Sequence, residues 1–308
     1  MCLYTKFIRN KRYTANKKNS YKPPICEDRR LLYVPVKCEE CIECRKDKQR
    51  EWQVRLTEEM KDDNSGKFVT LSFSEESLTK LEKKYNTKEA NTIAAKAVRE
   101  FTERWRAKHK KAPKHWLITE LGHNNTERLH LHGIIYTNEN NREIEERWGN
   151  GNIYVGYSMT LRTINYIIKY ITKPDRDHPG FKSKILASKG IGKRYINSWD
   201  FKNNEYKENG DTNETYRLPS GAKIALPMYY RNKRYSEDQK QKLWLQKLEK
   251  GSAFVRGQEI KKTYTQEGAI ELENALKQAR RINKELGYGD GKTIKKEYMT
   301  KNGKIVTK

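Results

Sequence analysis

The sequence predicts an α+β protein in which helices flank a central antiparallel sheet and a cysteine-rich segment precedes that sheet. Residues 115–121 and 129–136 are two largely apolar runs, and the polar loop Gly122–Arg128 joins them as in a hairpin with a long connection. The stretch from Thr87 to about residue 109 places apolar residues on one helical face and ends before Pro113. Locally paired strands with helices packed on them are typical of α+β domains.

Composition narrows the classes of partner and compartment. The chain has 308 residues, and its 65 Lys and Arg against 40 Asp and Glu give a net charge of +25. This charge predicts nucleic acid as the partner ahead of an anionic membrane surface, because no basic helix has a clean apolar face. No stretch approaches the roughly 18 apolar residues of a membrane helix, and the first residues lack the apolar region of a secretory signal. We therefore expect no membrane partner and a cytoplasmic protein, whose five cysteines are reduced or metal-bound.

Helical spacing, caps and turn residues predict the remaining elements and three segments. The elements are a helix over about 46–60, strands over 68–73 and 153–157, and helices over 160–173, 236–249 and 267–286. The segments are a basic, cysteine-rich segment over 1–60, a sheet-containing domain over 61–250 and a charged accessory tail over 251–308. We expect the tail to be weakly attached.

Two histidines on one predicted strand form the sharpest candidate site. His130 and His132 are separated by one residue, so their side chains lie on the same face of the strand. Two imidazoles held in this way form a rigid pair of metal ligands. The alternative is a pair of structural histidines that bind no metal.

Glu120 lies on the preceding strand and is a candidate third ligand. If the register pairs Glu120 with His130, the carboxylate joins the imidazoles, whereas a slip by one residue points it away. Two histidines and one carboxylate with open positions suit Mg²⁺ or Mn²⁺ acting on phosphate. The alternative for Glu120 is a carboxylate at the sheet end that pairs with a lysine.

Two tyrosines four residues apart are candidate nucleophiles. Tyr166 and Tyr170 share one face of the predicted helix, and Lys169 and Lys173 lie beside them. A phenol has an ordinary pKa near 10, so it attacks well only if nearby cations and a polarised phosphate assist it. The alternative is two amphipathic tyrosines at a boundary between helix and sheet.

The cysteines predict a separate, structural metal site. Cys38, Cys41 and Cys44 supply three thiolates, and a tetrahedral Zn²⁺ needs a fourth ligand from Cys2 or Cys26. An iron–sulfur cluster and unmetallated cysteines are the alternatives.

These blocks together resemble a known family. The sequences over Phe68–Phe73, Thr119–Gly122, His130–His132 and Tyr166–Lys173, with the cysteine block Cys38–Arg45, are similar to motifs of Microviridae replication initiators. The gokushovirus-like branch of these phages is the most similar. Such initiators are HUH endonucleases, named for two histidines that flank a hydrophobic residue. The resemblance covers about residues 1–235, and the combination of both motifs is more specific than either alone.

The resemblance implies an HUH fold and a nickase domain over residues 61–250. It implies that a metal on His130, His132 and Glu120 polarises a phosphate of single-stranded DNA at a phage origin. Tyr166 or Tyr170 then forms a 5′-phosphotyrosyl link and frees a 3′-OH, which the replication machinery of the bacterial host extends by rolling circle. It also favours Cys2 over Cys26 as the fourth zinc ligand, because the Met-Cys-Leu-Tyr start is similar to that family.

Three basic residues are assigned to DNA. Lys169 and Lys173 are expected to hold phosphate or stabilise developing charge, and Arg128 is expected to contact the DNA backbone. Two other functions stay open at this point. One is a non-catalytic, zinc-containing nucleic-acid-binding protein, and the other is an HUH relaxase or transposase that acts on other mobile DNA.

Overall fold

The computed structural model describes residues 1–123, 127–178, 180–291, 297–299 and 305–307. Among these, residues 1–48 and 200–291 form one compact unit. Residues 49–199 form the other, together with the two short strands near the C-terminus. The division into 1–60, 61–250 and 251–308 is a different partition and stays a prediction.

Strands and helices are interspersed along the chain. The strands are β1 (Lys6–Arg9), β2 (Tyr33–Val36), β3 (Gly66–Ser72), β4 (Lys114–Leu121), β5 (Leu129–Tyr136), β6 (Ile153–Ser158), β7 (Ile185–Ala187), β8 (Thr215–Arg217), β9 (Lys223–Ala225), β10 (Ala253–Val255), β11 (Gln258–Ile260), β12 (Glu297–Met299) and β13 (Ile305–Thr307). The helices are α1 (Ile42–Asp62), α2 (Glu75–Tyr85), α3 (Ala90–His109), α4 (Asn141–Trp148), α5 (Leu161–Ile167), α6 (Lys169–Thr172), α7 (Trp199–Lys202), α8 (Met228–Arg234), α9 (Glu237–Lys250) and α10 (Gln266–Glu285). Short 3₁₀ helices occupy Lys11–Tyr13, Lys17–Asn19, Arg29–Leu31 and Lys193–Asn197.

A five-stranded antiparallel sheet forms the centre of the unit that contains residues 49–199. Its strand order is β6-β3-β5-β4-β7, so the strand that carries both histidines lies in the middle. The predicted α+β class with a helix-flanked antiparallel sheet is confirmed. The register pairs Glu120 with His130 and Leu117 with Gly133, which is the pairing that brings the carboxylate to the histidine face.

One face of this sheet is apolar along its whole length. Leu117, Leu121, Leu129, Leu131 and Ile135 are buried there against helices α3 and α4. Helix α3 contributes Ile93, Ala97, Phe101 and Trp105, the stripe that its helical spacing places on one side.

The opposite face is apolar at one end and polar at the other. Trp116, Ile118, Ile134 and Tyr136 pack against Leu56 of α1 and the isoleucines of α5 and α6. Because strand residues alternate between faces, Glu120, His130 and His132 continue this same face beyond the apolar patch. The packing of α5 and α6 over the patch therefore brings the tyrosines to the polar end.

Several local predictions need correction. The helix predicted over 160–173 is two short helices, which meet at Ile168. Helix α3 begins at Ala90, because the carboxylate of Glu89 rather than Thr87 accepts the first backbone N–H groups. Helices α2 and α4 were not predicted, although Ser74 and Asn140 cap them through side-chain oxygens.

Part of the C-terminal segment packs firmly within the unit that contains residues 1–48. Ala279 and Asn283 of α10 are buried, and Ala279 packs in one apolar cluster with Leu3 and Cys41. Nε of Arg280 also donates a hydrogen bond to the carbonyl of Leu3 at 2.8 Å. The expectation of weak attachment is therefore wrong for α10, while an accessory role for residues 251–308 stays a prediction.

Across the described ranges, no helix combines the length and apolar character that crossing a bilayer requires.

Gly133 tests the packing of the central strand pair. A Cβ at this position would lie 2.0 Å from the carbonyl oxygen of Trp116 and 2.8 Å from Cα of Leu117, both backbone atoms of β4. We expect Gly133→Ala to lower the free energy of unfolding by on the order of 3 kcal/mol in a denaturant titration. Ile135→Val on the same strand, which removes one buried methyl group, should cost about 1 kcal/mol. Equal stability of Gly133→Ala and the parent would contradict the close β4–β5 pairing.

Candidate functional site

Glu120, His130 and His132 form a carboxylate–imidazole group, termed the Glu120 cluster. Oε2 of Glu120 lies 3.2 Å from Nε2 of His130 and 2.9 Å from Nε2 of His132. Only 11%, 21% and 13% of these side chains, respectively, are exposed. The three ligand atoms lie within 4.8 Å of one another, so one metal ion could be bound by all three.

The other nitrogen of each imidazole is held by the protein. Nδ1 of His130 lies 3.1 Å from the carbonyl oxygen of Arg128, an acceptor to which it can only donate. Nδ1 of His132 lies 3.0 Å from Oγ1 of Thr70 on β3. Neutral imidazoles held in this way turn nitrogen lone pairs toward Glu120, as second-shell groups do around metal sites. Two lone pairs facing a carboxylate require a cation between them, so the donor set fits a divalent metal ion.

Glu120 is held in its ionised form. Burial alone would raise the pKa of this carboxyl, but hydrogen bonds from His130, His132 and Lys173 bring it well below its ordinary value. Lys173 binds the other oxygen, Oε1, at 2.6 Å. The carboxylate therefore presents Oε2 to the imidazoles and Oε1 to the lysine.

The two tyrosines lie next to the Glu120 cluster and next to each other. The Tyr170 ring stacks on that of His132, with centroids 4.5 Å apart and planes at 14°. The hydroxyl oxygens of Tyr166 and Tyr170 are 3.1 Å apart, although Ile168 interrupts the helix between them. Tyr166 is 49% exposed, whereas Tyr170 is half-buried. Both phenols can therefore approach one substrate at this end of the sheet.

Tyr170 is held in its protonated form by its surroundings. Burial, the hydrogen bond with Tyr166 and the negative charge of Glu120 all raise the pKa of its phenol above the ordinary value. A cation in the Glu120 cluster would oppose the effect of that carboxylate. A metal ion is therefore the group that this site needs before a phenol can act as nucleophile.

The predicted basic residues differ in placement. Lys173 joins the Glu120 cluster and lies 5.8 Å from the Tyr170 ring centroid. Lys169 is exposed and is not brought into the cluster. Arg128 is 48% exposed with its Nε 3.9 Å from Glu75, and its backbone carbonyl orients His130.

Sequence reasoning missed two residues of this region. Thr70 orients His132, and Nε2 of His123 lies 3.3 Å from Nζ of Lys173. The position of Thr70 opposite His132 follows from the β3–β5 register, which a single sequence does not reveal. A cleft of about 220 Å³ is lined by Glu120, His123, Tyr170, Lys173, Asp175 and Ser183.

Cys2, Cys38, Cys41 and Cys44 form the cysteine cluster in the other unit. Their sulfur atoms lie within 4.8 Å of one another, and Cys2, Cys41 and Cys44 are buried. The backbone N–H of Cys38 donates to Sγ of Cys2 at 3.3 Å, and that of Cys41 donates to Sγ of Cys38 at 3.3 Å. Hydrogen bonds from Cys38 and Cys44 lower the pKa of the Cys41 thiol. Four sulfurs in this arrangement fit a closed, tetrahedral metal site.

Cys26 lies outside this cluster. Its Sγ is 3.1 Å from the carbonyl oxygen of Asp28. Of the two candidate fourth ligands, the structure thus brings Cys2 to the other three thiols.

Comparisons with known proteins match the part of the chain that contains the Glu120 cluster. Residues 66–175, from β3 to just beyond α6, match the model of a family described as Replication-associated protein, of the ORF2 type. The chain is also similar to the Replication-associated protein VP4 of Bdellovibrio phage phiMH2K, at 27% identity over 223 residues. That match covers 63% of this chain and 66% of the relative. No solved structure matches the chain.

Cys26 provides a matched control for the cysteine cluster. We expect the purified full chain to carry one Zn²⁺ on thiolates, and Cys2→Ser or Cys38→Ser to lose that ion because a closed site needs four ligands. Elemental analysis of the desalted proteins measures the change. Cys26→Ser should keep the zinc content of the parent, and a loss as large as that of Cys2→Ser would contradict the assignment.

Proposed function

We propose that this chain is a phage replication initiator that nicks single-stranded DNA at an origin through a tyrosine nucleophile and a divalent metal ion. One observation supports this function above all. Two imidazole nitrogens, a carboxylate oxygen and two phenols converge on one polar end of a sheet. That group lies inside the segment that matches a replication-associated family. The sheet with its flanking helices would then be a domain of the HUH class.

His130, His132 and Glu120 would hold Mg²⁺ or Mn²⁺. When bound, the ion supplies Lewis-acid polarisation of a phosphate oxygen and neutralises charge that develops in the transition state. The chain's own residues orient the ligands, through the Arg128 carbonyl and Thr70, and keep Glu120 ionised through Lys173.

The reaction is a transesterification in which one phosphodiester replaces another. The phenolic oxygen of Tyr166 or Tyr170 forms a bond to phosphorus, and the bond from phosphorus to the 3′ oxygen breaks. The phenolic proton is replaced by phosphorus, and a proton ends on the departing 3′-OH. The DNA then carries a 5′-phosphotyrosyl link, and the host replication machinery extends the free 3′ end by rolling circle in the bacterial cytoplasm.

The short separation of the two hydroxyls explains why two nucleophiles can share one metal. With oxygens 3.1 Å apart, either phenol reaches almost the same position relative to the Glu120 cluster. One tyrosine can hold the first DNA end while the other cuts the regenerated origin. The exposed Lys169 and the guanidinium of Arg128 are available to DNA phosphates on either side.

The cysteine cluster has a structural role in this proposal. A Zn²⁺ bound by four thiolates has no open position for substrate, so it would stabilise the unit around β10, β11 and α10 rather than take part in cleavage. The net charge of +25 supports a nucleic-acid partner for the whole chain.

The tyrosines can be tested by trapping the covalent intermediate. The parent chain, incubated with a labelled library of single-stranded DNA and Mn²⁺, should form an adduct that survives denaturing electrophoresis. The double variant Tyr166→Phe/Tyr170→Phe should form none, because it lacks both nucleophilic oxygens. Each single variant should retain one round of adduct formation.

Tyr154→Phe is the matched control for this experiment. Tyr154 is 58% exposed and, like Tyr166, contacts the ring of Phe68, but it lies on β6 rather than on the helices. It should form as much adduct as the parent. An adduct that persists in the double variant, or DNA binding with no adduct in the parent, would contradict the proposed reaction and favour a non-catalytic DNA-binding protein.

Removal of one imidazole should weaken metal use rather than DNA binding. In His132→Gln, we expect adduct formation to fall by at least ~100-fold and to need more Mn²⁺, because one ligand and its orientation by Thr70 are lost. Chelation with EDTA should abolish adduct formation by the parent, and added Mn²⁺ should restore it. Affinity for single-stranded DNA, measured by fluorescence anisotropy, should change less than threefold. Full activity in EDTA would contradict a metal-dependent step.

A further inference from the structure

A second group of metal-ligating side chains lies in the same compact unit and is termed the His178 cluster. It consists of His123, Asp175 and His178, whose ligand atoms lie within 4.8 Å of one another. His123 follows β4, whereas Asp175 and His178 follow α6, so two distant segments of the chain meet in this group. The donor set, two imidazoles and one carboxylate, repeats that of the Glu120 cluster.

Asp175 is a half-buried residue whose carboxylate faces imidazoles. Its side chain is 11% exposed, and one carboxylate oxygen lies 2.8 Å from Nδ1 of His178. The other oxygen accepts hydrogen bonds from the backbone N–H groups of Asp177 and His178 and lies 4.0 Å from Nδ1 of His123. Within the described part of the chain, no lysine or arginine pairs with this carboxylate.

His178 supplies an independent observation that points to a cation. Its side chain is completely buried, and Nε2 has no hydrogen-bond partner among the described residues. The carboxylate oxygen Oε1 of Glu127 lies 3.7 Å from that nitrogen. A neutral imidazole that donates from Nδ1 to Asp175 carries a lone pair at Nε2, and a buried lone pair beside a carboxylate calls for a positive charge. A histidine oriented by a carboxylate in this way is also typical of metal ligands.

The local charge points the same way. Glu127, Asp175 and Asp177 surround His123 and His178, with Oδ2 of Asp177 2.8 Å from Nδ1 of His123. Such a group of carboxylates is unexpected beside a surface that is to receive an anion in a chain of net charge +25. A bound divalent cation would offset this negative charge.

We propose that His123, Asp175 and His178 bind a divalent transition-metal ion, for which imidazole and carboxylate donors suit Zn²⁺. The ion joins the loop after β4 to the segment after α6. Lys173 lies between the two clusters, with Nζ 3.3 Å from Nε2 of His123 and 2.6 Å from Oε1 of Glu120. The metal therefore fixes the end of the helix that carries Tyr170. This positioning role rests on the proposed function, whereas the binding of the ion does not.

Zinc stoichiometry tests the site in the full chain. At saturating Zn²⁺ in equilibrium dialysis, Asp175→Asn and His178→Gln should each bind one ion fewer per chain than the parent. His109→Gln is the matched control, because His109 also pairs with a carboxylate, Glu143 at 3.0 Å, but belongs to no metal-ligating group among the described residues. It should bind as many ions as the parent. Parent-like zinc content in folded Asp175→Asn would overturn the proposal.

Cobalt spectroscopy keeps the proposal testable if those variants fail to fold. His130→Gln/His132→Gln removes the ligands of the Glu120 cluster and leaves the other two groups intact. Titrated with Co²⁺, it should bind one ion without thiolate-to-metal charge transfer, in addition to any ion bound by the cysteines. If all bound cobalt shows the charge-transfer band, the His178 cluster does not bind metal. The adduct assay with the tyrosine variants reports on nicking independently of both counts, so the two proposals can fail separately.

Discussion

The pairing of Glu120 with His130 across β4 and β5 is the constraint on which the site depends. Antiparallel register places the carboxylate on the same face as both imidazoles, and a shift by one residue would move it to the apolar layer under α3. The close approach of Gly133 to the β4 backbone fixes this register from within the strand pair. The same alternation buries Ile134 and Tyr136 beneath α1 and α5, so the packing that anchors the helices also positions the tyrosines.

Charge balance is the second theme of the structure. Glu120 is buried among imidazoles and is kept ionised by Lys173, and Asp175 is held by imidazoles and backbone N–H groups. Carboxylates in such settings carry a desolvation cost that nearby positive charge offsets. In both clusters, imidazole nitrogens and carboxylates converge in numbers that suit a divalent cation. The cysteine cluster follows a different rule, since four soft sulfurs favour a structural Zn²⁺.

Much of the fold was predictable because local patterns carried it. The apolar runs around Glu120 and His132, and the helical spacing of α3, identified the sheet and one of its covering layers. The HxH spacing and the two tyrosines were visible because residues two apart in a strand and four apart in a helix share a face. The helix break at Ile168 did not change that result, since the two hydroxyls still meet.

Other features depend on contacts that one sequence does not encode locally. Thr70 became relevant only through the β3–β5 pairing, and His178 only because the segment after α6 returns to the loop after β4. The attachment of α10 was missed because its polar composition suggested a solvated tail. Its few apolar residues, with Asn283, suffice to pack it against the cysteine cluster.

Anomalous diffraction from Mn²⁺-soaked crystals of the Asp175→Asn variant tests the metal role of the Glu120 cluster most directly. A manganese peak is expected about 2.0–2.3 Å from Nε2 of His130, Nε2 of His132 and an oxygen of Glu120, with a tyrosine hydroxyl facing its open side. Manganese found only at surface carboxylates, with both imidazoles unligated, would contradict that role.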